Sequence, residues 1–552
     1  MIHVSIQNKQ YINYTQTSNC IITGEAFYQN HLYKGNDLLQ LISSCELEDQ
    51  FLDRLKQLNG FYALIKYTGQ QIFAAVDRVR SIPLFYGQKG ADFFLSDSAE
   101  WVRQQAGNTK VDLLAREEFL LTGYVTGPDT LFPDVKQLQA GEALIVTDNN
   151  TEPSVSVKRY YRFIHQNTIE ASEEELLSKL DEVLLNVFKR LIKLAEGRTL
   201  VIPLSGGYDS RLIVLMLKRL GYEKVITFTY GRPGNKESEI SKQIANTLGY
   251  RWEFIPYNNE AWYRWFHSEE CKSYYRMADG LCSLPHIQDW PAVWEMKRQG
   301  LLPNDSVFIP GHTVTLTLKG LPSVRGKKAL ADAIKKKHYS LWSWAERSKE
   351  IRTKLEKKIR IIANQPLNNS SNSIDLFESW ECQERQSKFI VNSVRAYEFW
   401  GYRWWLPLWD TEFMKFWSAT PLSYRFNKKI YRKYIEQLNY QITGIDKSPN
   451  IPNIKEPYYV MFLRKLLKKL KLLTLTRYVL ANLTRIKAKT LWRLEYNRNP
   501  MAWDGAIERP FFYQNYTGIE HINSFLVLLY LEDFRHGLLI SKRSCFTNSA
   551  MK

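Results

Sequence analysis

The sequence has no long apolar run. None of its 552 residues fall in a stretch approaching the roughly 18 apolar residues that cross a bilayer as a helix. The opening residues, MIHVSIQNKQ, lack the apolar centre of a secretion signal, so no leader is read there. Cysteine is sparse. The six cysteines, Cys20, Cys45, Cys271, Cys282, Cys382 and Cys545, are scattered with no CxxC pair. That spacing argues against a zinc ribbon or a disulfide scaffold and for reduced thiols in the cytoplasm. No internal repeat is found. Acid is missing from one segment: between Arg464 and Arg493 there are ten Lys or Arg and no Asp or Glu. Leucines recur there at 463, 466, 467, 470 and 473, which predicts a basic amphipathic helix. Two readings stay open: a solvated basic face, or peripheral contact with the anionic inner face of a membrane.

What is present points to a large globular chain. Hydrophobic residues make up 44% and aromatics 14%, enough for an extensive core, and the length predicts two or more domains. The net charge of +18 permits attraction to nucleic acid, anionic lipid or an acidic polymer without choosing among them.

Residues 198–231, RTLVIPLSGGYDSRLIVLMLKRLGYEKVITFTYG, organise the rest. An apolar run at 200–204, too short for a helix, leads directly into Ser205-Gly206-Gly207-Tyr208-Asp209-Ser210. From Leu212 the apolar spacing becomes helical, with Leu215, Met216 and Leu220 on the pattern and Gly221 closing it. A second short strand follows at 225–230. This is strand, loop, helix, strand: one unit of a parallel sheet. Adjacent glycines allow a tight turn and close approach of a ligand. Ser205 and Ser210 bring hydroxyls, and a helix N-terminus brings free N–H groups and partial positive charge. An anion such as phosphate suits that place. Asp209 suits it only with a bridging cation, which implies Mg²⁺. The plainer alternative is a glycine-rich turn with Asp209 capping the helix.

The six-residue loop resembles the SGGxDS loop of the ATP pyrophosphatases, and the following PGNKESEI, a helix up to Gly249 and a strand at 252–255 are similar to the synthetase domain of the asparagine synthetase family. The resemblance runs, with gaps, from about residue 20 to about 460. It implies an α/β chain in three parts. Residues 1–160 resemble a truncated, Ntn-like glutaminase sandwich. Residues 170–460 resemble the parallel-sheet, adenine-nucleotide α-hydrolase-like ATP-pyrophosphatase domain with helical additions. Residues 461–552 are read as a basic helical extension packed on it. ATP and Mg²⁺ are the implied cofactors. Asp209 would hold the metal, Ser205, Gly206, Gly207 and Ser210 the phosphates, and backbone at Pro203 and Tyr230 would flank adenosine.

In the first part, β-like runs at 61–67, 72–76, 84–86 and 93–95 predict antiparallel sheets of an α/β sandwich. Thr23-Gly24-Glu25-Ala26-Phe27 is similar to the family's NGEIY, Leu58-Asn59-Gly60-Phe61-Tyr62-Ala63 to its LDGMFAF, and the segment DRVRSIPLFY from Asp77 to its DRxGxKPLYY. The family's glutaminase depends on a cysteine at the very N-terminus with a free α-amino group. Residue 2 is Ile2, and Cys20 is internal, so the expectation is no glutaminase activity. A polar stretch at 147–158, TDNNTEPSVSVK, is expected to be a boundary loop. Ser172 followed by Glu175 reads as a capping box opening a helix.

Further along, a strand is expected at 306–310. By the resemblance, Pro310 and Gly311 stand where the family has the SG of SGEGxDE, which places them at the nucleotide. His312 then takes the family's glutamate position and offers an acid or base near neutral pH. Thr315 takes the aspartate position, which leaves Asp209 without its usual metal-binding companion. Residues 388–410 are dense in aromatics, read first as core and second as walls for a sugar-like or flat ligand. Leu406-Pro407-Leu408-Trp409-Asp410 resembles PFLD, and Arg403 stands where the family has glutamate. It is a candidate for binding an acidic substrate. Lys455 stands near the family's pyrophosphate-contacting lysine.

The resemblance implies an ATP-dependent, AMP-forming carbon–nitrogen ligase. It would adenylate a small-molecule or sugar carboxylate, release pyrophosphate and form an amide with ammonia or another amine, supplied free or by a separate glutaminase. Family members lacking the cysteine include forms associated with surface polysaccharide synthesis. Two alternatives remain at this level: a degenerate nucleotide-binding or scaffold protein, and an ATP pyrophosphatase acting on RNA, against which the glutaminase-like first part argues.

Overall fold

The computed structural model describes residues 1–107, 109–149, 152–316, 327–363, 373–445, 499–507 and 522–534. Lys455, Cys545, the basic segment 464–493 and most of the expected 461–552 extension lie outside the described residues.

The first part folds as two sheets. One holds β1 (Ile2–Ser5), β7 (Phe85–Lys89), β8 (Asp92–Ser96) and β9 (Val135–Gln137) in the order β1-β8-β7-β9. The other holds β2 (Tyr14–Gln16), β3 (Cys20–Tyr28), β4 (His31–Lys34), β5 (Asn59–Thr68), β6 (Gln71–Val76), β10 (Glu142–Thr147) and β11 (Ser154–Arg159) in the order β11-β10-β6-β5-β3-β2, with β4 also on β3. The pairings are antiparallel, as expected, except that β1 runs parallel to β8. Alternate residues of β5, β6 and β10 face two separate apolar clusters, one under the helices Gly35–Ser43 and Glu48–Gln57 and the other between the sheets. That two-sided burial explains why these strands read as nearly continuous apolar runs.

The expected boundary loop is corrected here. Residues 154–159 are the edge strand β11, paired with β10 from Glu142↔Arg159 to Thr147↔Ser154. The end of the polar stretch, from Ser154, is therefore an outer strand paired with β10. An exposed edge strand needs no apolar face, which is why its composition resembles a linker.

Helix α1 (Glu173–Ala195) leads into the second part. Its capping box forms: the Glu175 N–H donates to Ser172 Oγ at 3.2 Å, and the Ser172 N–H donates to Glu175 Oε2 at 2.8 Å. Leu176, Leu180, Leu184, Val187, Phe188, Leu191 and Leu194 are buried along one face. Each such side chain stabilises by about 1.5–3 kcal/mol on burial.

The second part centres on five parallel strands: β12 (Leu200–Pro203), β13 (Val225–Gly231), β14 (Arg251–Pro256), β15 (Val307–Phe308) and β16 (Arg403–Trp404), ordered β14-β13-β12-β15-β16. The crossovers from β12 to β13 and from β13 to β14 are α2 (Tyr208–Arg219) and α3 (Lys236–Leu248). Gly221 and Gly249 follow these helices at φ +70 and +72, the left-handed conformation expected of helix ends. The strand expected at 306–310 is shorter than read, because Pro310 cannot donate to the ladder.

The main core is continuous across both parts, from Phe27 and Phe61 to Leu531. The two parts meet through motif residues. Asp410 accepts two hydrogen bonds from Arg190 of α1, both at 2.8 Å, and one from Asn59 Nδ2 at 2.9 Å. The aromatics of 388–410 mostly pack: Trp405 and Trp409 are buried, and Phe61 sits against Trp404 and Trp405 with ring centres 5.3 and 4.7 Å away.

Candidate functional site

The site lies at the C-terminal ends of β12, β13 and β15, where an open parallel sheet leaves a crevice. Ser205-Gly206-Gly207 turns the chain from β12 into α2, and Gly207 is the helix N-cap with no side-chain cap. Asp209 lies within the first turn, so the alternative in which it caps the helix is excluded.

The two serines hold the loop together. Ser205 N–H donates to Ser210 Oγ at 3.1 Å, Gly207 N–H donates to Ser205 Oγ at 3.1 Å, and the two hydroxyls lie 3.1 Å apart. One hydroxyl proton serves the pair, which leaves the other for a ligand. Arg211 fixes the turn from below, its guanidinium donating to the Gly206 carbonyl at 2.9 Å. The Gly206 N–H faces the Glu237 carboxylate, whose pKa burial raises and this contact lowers. Glu237 is thus a second acid at the loop, besides Asp209.

Asp209 faces a cation that is part of the chain. Lys428 Nζ lies 3.3 and 3.2 Å from its two carboxylate oxygens. Lys428 and the preceding Asn427 both have left-handed backbone, φ 56 and 54, uncommon for residues other than glycine. The helix Lys429–Thr443 starts there and supplies Tyr431. Tyr431 is fully buried, and its hydroxyl lies against Asp209 and Thr313 without a well-formed hydrogen bond to either. Burial, then the Asp209 charge, hold this phenol well above its usual range.

Ile309 N–H donates to the Val201 carbonyl at 2.8 Å and carries the chain past Pro310 to Gly311. A Cβ on Gly311 would lie 2.9 Å from the Ser210 nitrogen, so only glycine lets this backbone rest on the start of α2. His312 follows. Its Nε2 is 3.4 Å from Ser393 Oγ, its Nδ1 has no partner, and burial pulls its pKa down to about 4. It is therefore neutral at physiological pH and a weaker base than expected. Thr315 is buried and turned onto Thr313, hydroxyl to hydroxyl at 3.1 Å.

Of the remaining expected residues, Pro203 ends β12 beside Phe228, and Tyr230 lies near the end of β13. Arg403 is a correction. The register sets it opposite Val307, which is opposite Leu200, so it lies at the far end of the sheet from Ser205. Its guanidinium pairs with Glu25 of the first part rather than facing the loop.

The residues suit a magnesium ion that arrives with a nucleotide. Asp209 gives one carboxylate oxygen, and Mg²⁺ commonly takes one or two carboxylates with phosphate oxygens and water. Among the described residues, the one grouping of three metal-capable side chains is His165, Asp375 and Glu378, and the Arg425 guanidinium already sits among them. Lys428, Tyr431 and Glu237 were given no site role from the sequence. No local pattern marks them.

Two family profiles match. Residues 45–161 match a glutamine amidotransferase domain, and residues 186–268 match asparagine synthase. In this order the two matches are consistent with an asparagine synthetase-like family. No curated protein matches the chain. Among solved structures, the chain is similar to an NH3-dependent NAD synthetase from Campylobacter jejuni, at 13% identity over 37% of this chain and 100% of that one, with a TM-score of 0.19. It is also similar to an allosteric regulatory enzyme of purine biosynthesis, at 12% identity over 53% and 70%, with a TM-score of 0.19. A glutamine phosphoribosylpyrophosphate amidotransferase from B. subtilis, complexed with ADP and GMP, gives 11% identity over 55% and 64%, with a TM-score of 0.18. No described helix is long and apolar enough to cross a membrane.

Proposed function

We propose that this chain is an ATP-dependent ligase that joins a carboxylate to an amine. The observation that carries the reading is the β12-loop-α2 turn, with its serine pair, Asp209 in the first turn and Gly311 resting on the helix start. A carboxylate oxygen of the acceptor attacks the α-phosphorus of ATP. The bond from that phosphorus to the bridging oxygen breaks, and pyrophosphate leaves with the electron pair. Ammonia or an amine then attacks the acyl carbon, AMP leaves, and the nitrogen gives a proton to solvent or a base.

The chain's own groups have defined parts in this scheme. The α2 N-terminus and the free serine hydroxyl orient phosphate oxygens. Asp209 would hold a magnesium ion brought with the nucleotide, and such an ion would supply positive charge to the phosphates. Lys428 must first give up Asp209, which brings its ammonium beside the same phosphates. The acceptor in this proposal is a small-molecule or sugar carboxylate, as in surface polysaccharide synthesis. The nitrogen comes free or from a separate glutaminase. Cys20, Cys45, Cys271, Cys282 and Cys382 are all buried, and burial raises the Cys20 thiol to about 11, which supports the absence of glutaminase chemistry. The purified chain is expected to release no glutamate from glutamine.

A second reading is favoured by one observation. Lys428 already neutralises Asp209, and Glu237 already takes the Gly206 N–H, as in a loop kept for structure alone. Thermal unfolding with and without Mg-ATP, on wild type and Asp209→Ala, separates the two. A bound ligand at 100 times its Kd adds about 2.7 kcal/mol. A metal-dependent shift in wild type that vanishes in the variant supports the ligase. No shift at millimolar ATP supports the scaffold.

A further inference from the structure

A cavity of about 30 Å³ lies between the two parts of the chain. Arg80 and Asp97 wall it from the first part, and Arg276, Asp279, Cys282 and Arg395 from the second. That is room for about two waters. Arg276 is exposed, so the cavity opens to solvent. Arg80 sits in it on strained backbone. Its φ is 56, a left-handed conformation that glycine adopts freely and a residue with a Cβ adopts at a cost. In the segment DRVRSIPLFY it stands at the glycine of the motif that the segment resembles. The surrounding turn imposes the angle. The Asp77 carboxylate accepts from the N–H groups of Val79 at 2.8 Å and Ser81 at 3.1 Å, and the Asp77 carbonyl accepts from the Arg80 N–H at 3.1 Å.

The Arg80 side chain is 2% exposed and lacks a countercharge. Its Nε donates to the Leu138 carbonyl at 3.1 Å, and its Nη2 lies 3.6 Å from Cys282 Sγ. Two of its five N–H groups thus have partners, and neither partner is a carboxylate. Burial pulls its pKa down, Arg395 opposes its charge, and the Glu384 charge it feels is already held by Lys388 at 2.6 Å. The two acids on the cavity wall are engaged elsewhere. Asp97 accepts from the Gln7 and Asn8 N–H groups at 2.8 and 3.0 Å and from Tyr14 Oη at 3.0 Å. Asp279 accepts from the Leu281 N–H at 3.0 Å and from Tyr530 Oη at 2.9 Å. Arg395 commits its Nη groups to Glu398 and the Ser81 carbonyl, and its buried Nε has no partner.

A buried guanidinium without an acid is costly, and here it stands on a backbone that is costly too. A tie between the two parts needs neither, since a neutral donor would reach a carbonyl as well. An anion in the cavity answers both costs. Nη1 and the second N–H of Nη2 form a planar fork that matches the two oxygens of one carboxylate. The volume admits such a group and little more. Asp97 and Asp279 on the wall disfavour a second negative charge.

We propose that this cavity receives the carboxylate of a small organic acid, held by Arg80 and touching both parts of the chain. The site stands apart from the ligase reading, and its test uses no nucleotide.

The full chain is titrated against isotope-labelled formate in chloride-free buffer, and binding is read as broadening of the formate carbon resonance. Wild type is compared with Arg80→Gly and Arg80→Met. Formate is expected to bind wild type at least tenfold tighter than either variant. Acetate is expected to displace it, and sulfate at equal ionic strength is not. Arg80→Gly suits the backbone angle and is expected to keep the urea midpoint of wild type, so its loss of formate binding is not a loss of fold. Arg80→Met keeps an unbranched side chain and removes only the charged head. Equal formate affinity in wild type and both variants overturns the proposal. So does the absence of broadening at millimolar formate, which leaves the cavity to water. Displacement by chloride as strong as by acetate marks an adventitious ion only, and overturns it as well.

Discussion

Lys428 places its ammonium 3.3 and 3.2 Å from the two carboxylate oxygens of Asp209, across 219 positions of sequence. A lysine thus occupies the carboxylate that a nucleotide's metal ion would use. Removing it by Lys428→Met leaves Asp209 open. Mn²⁺ without nucleotide is expected to bind about fivefold tighter to the variant, the effect of losing one partly exposed pair worth about 1 kcal/mol. Metal-free ATP is expected to bind more weakly. Mn²⁺ titration by electron paramagnetic resonance and ATP calorimetry measure the two effects.

Gly311→Ala forces a Cβ to 2.9 Å from the Ser210 nitrogen. Backbone must move, at a cost of about 1–3 kcal/mol. The expected result is a lower urea midpoint together with loss of the Mg-ATP shift, because the group that moves is the start of α2.

His312, with its pKa lowered to about 4 by burial, is expected to stay neutral across the physiological range. Its C2 proton resonance should not titrate between pH 8 and about 5.5, whereas an ordinary histidine titrates near 6.5. The linked stability has a definite sign. The unfolded imidazole takes a proton below about 6.5 and the folded one resists until about 4, so stability present above 6.5 is lost as pH falls through that window. His312→Gln is expected to flatten this part of the pH profile of unfolding.

Arg403→Ala is expected to leave Mg-ATP affinity unchanged and to cost no more than about 1 kcal/mol, the range of partly exposed ion pairs. Its partner is Glu25, at the other end of the sheet from the loop. A large fall in nucleotide affinity would contradict that placement.

Lys388 and Glu384 form a fully buried pair at 2.6 Å, and Lys388 also donates to the Val125 and Gly127 carbonyls at 3.0 and 2.6 Å. Lys388→Met strands the Glu384 charge, at an expected cost of about 3–5 kcal/mol in chemical unfolding. Replacing both residues with apolar ones is expected to recover much of that loss.

The parts legible in the sequence are those determined by near neighbours. The capping box at Ser172 and Glu175, the strand-loop-helix of 200–219 and the glycine stops at Gly221 and Gly249 each depend on a few adjacent residues. Gly311 was legible through its resemblance to a motif. The role of Lys428 was not, because it depends on Asp209, which the fold brings to it from 219 positions away. Arg403 was misread for a related reason. Its motif position was clear, but strand register, which no local pattern records, decides which end of the sheet it occupies. The strand Ser154–Arg159 was misread as part of a boundary loop because an exposed edge strand and a linker share a composition.

Phe61 belongs to the first part by sequence, yet its ring packs on Trp404 and Trp405, beside the last strand of the parallel sheet. With one core running through both halves, the chain has no seam along which evolution or an engineer could separate them. A first half without chemistry of its own would still be inherited whole, since discarding it would strip the apolar flank of the half that is left.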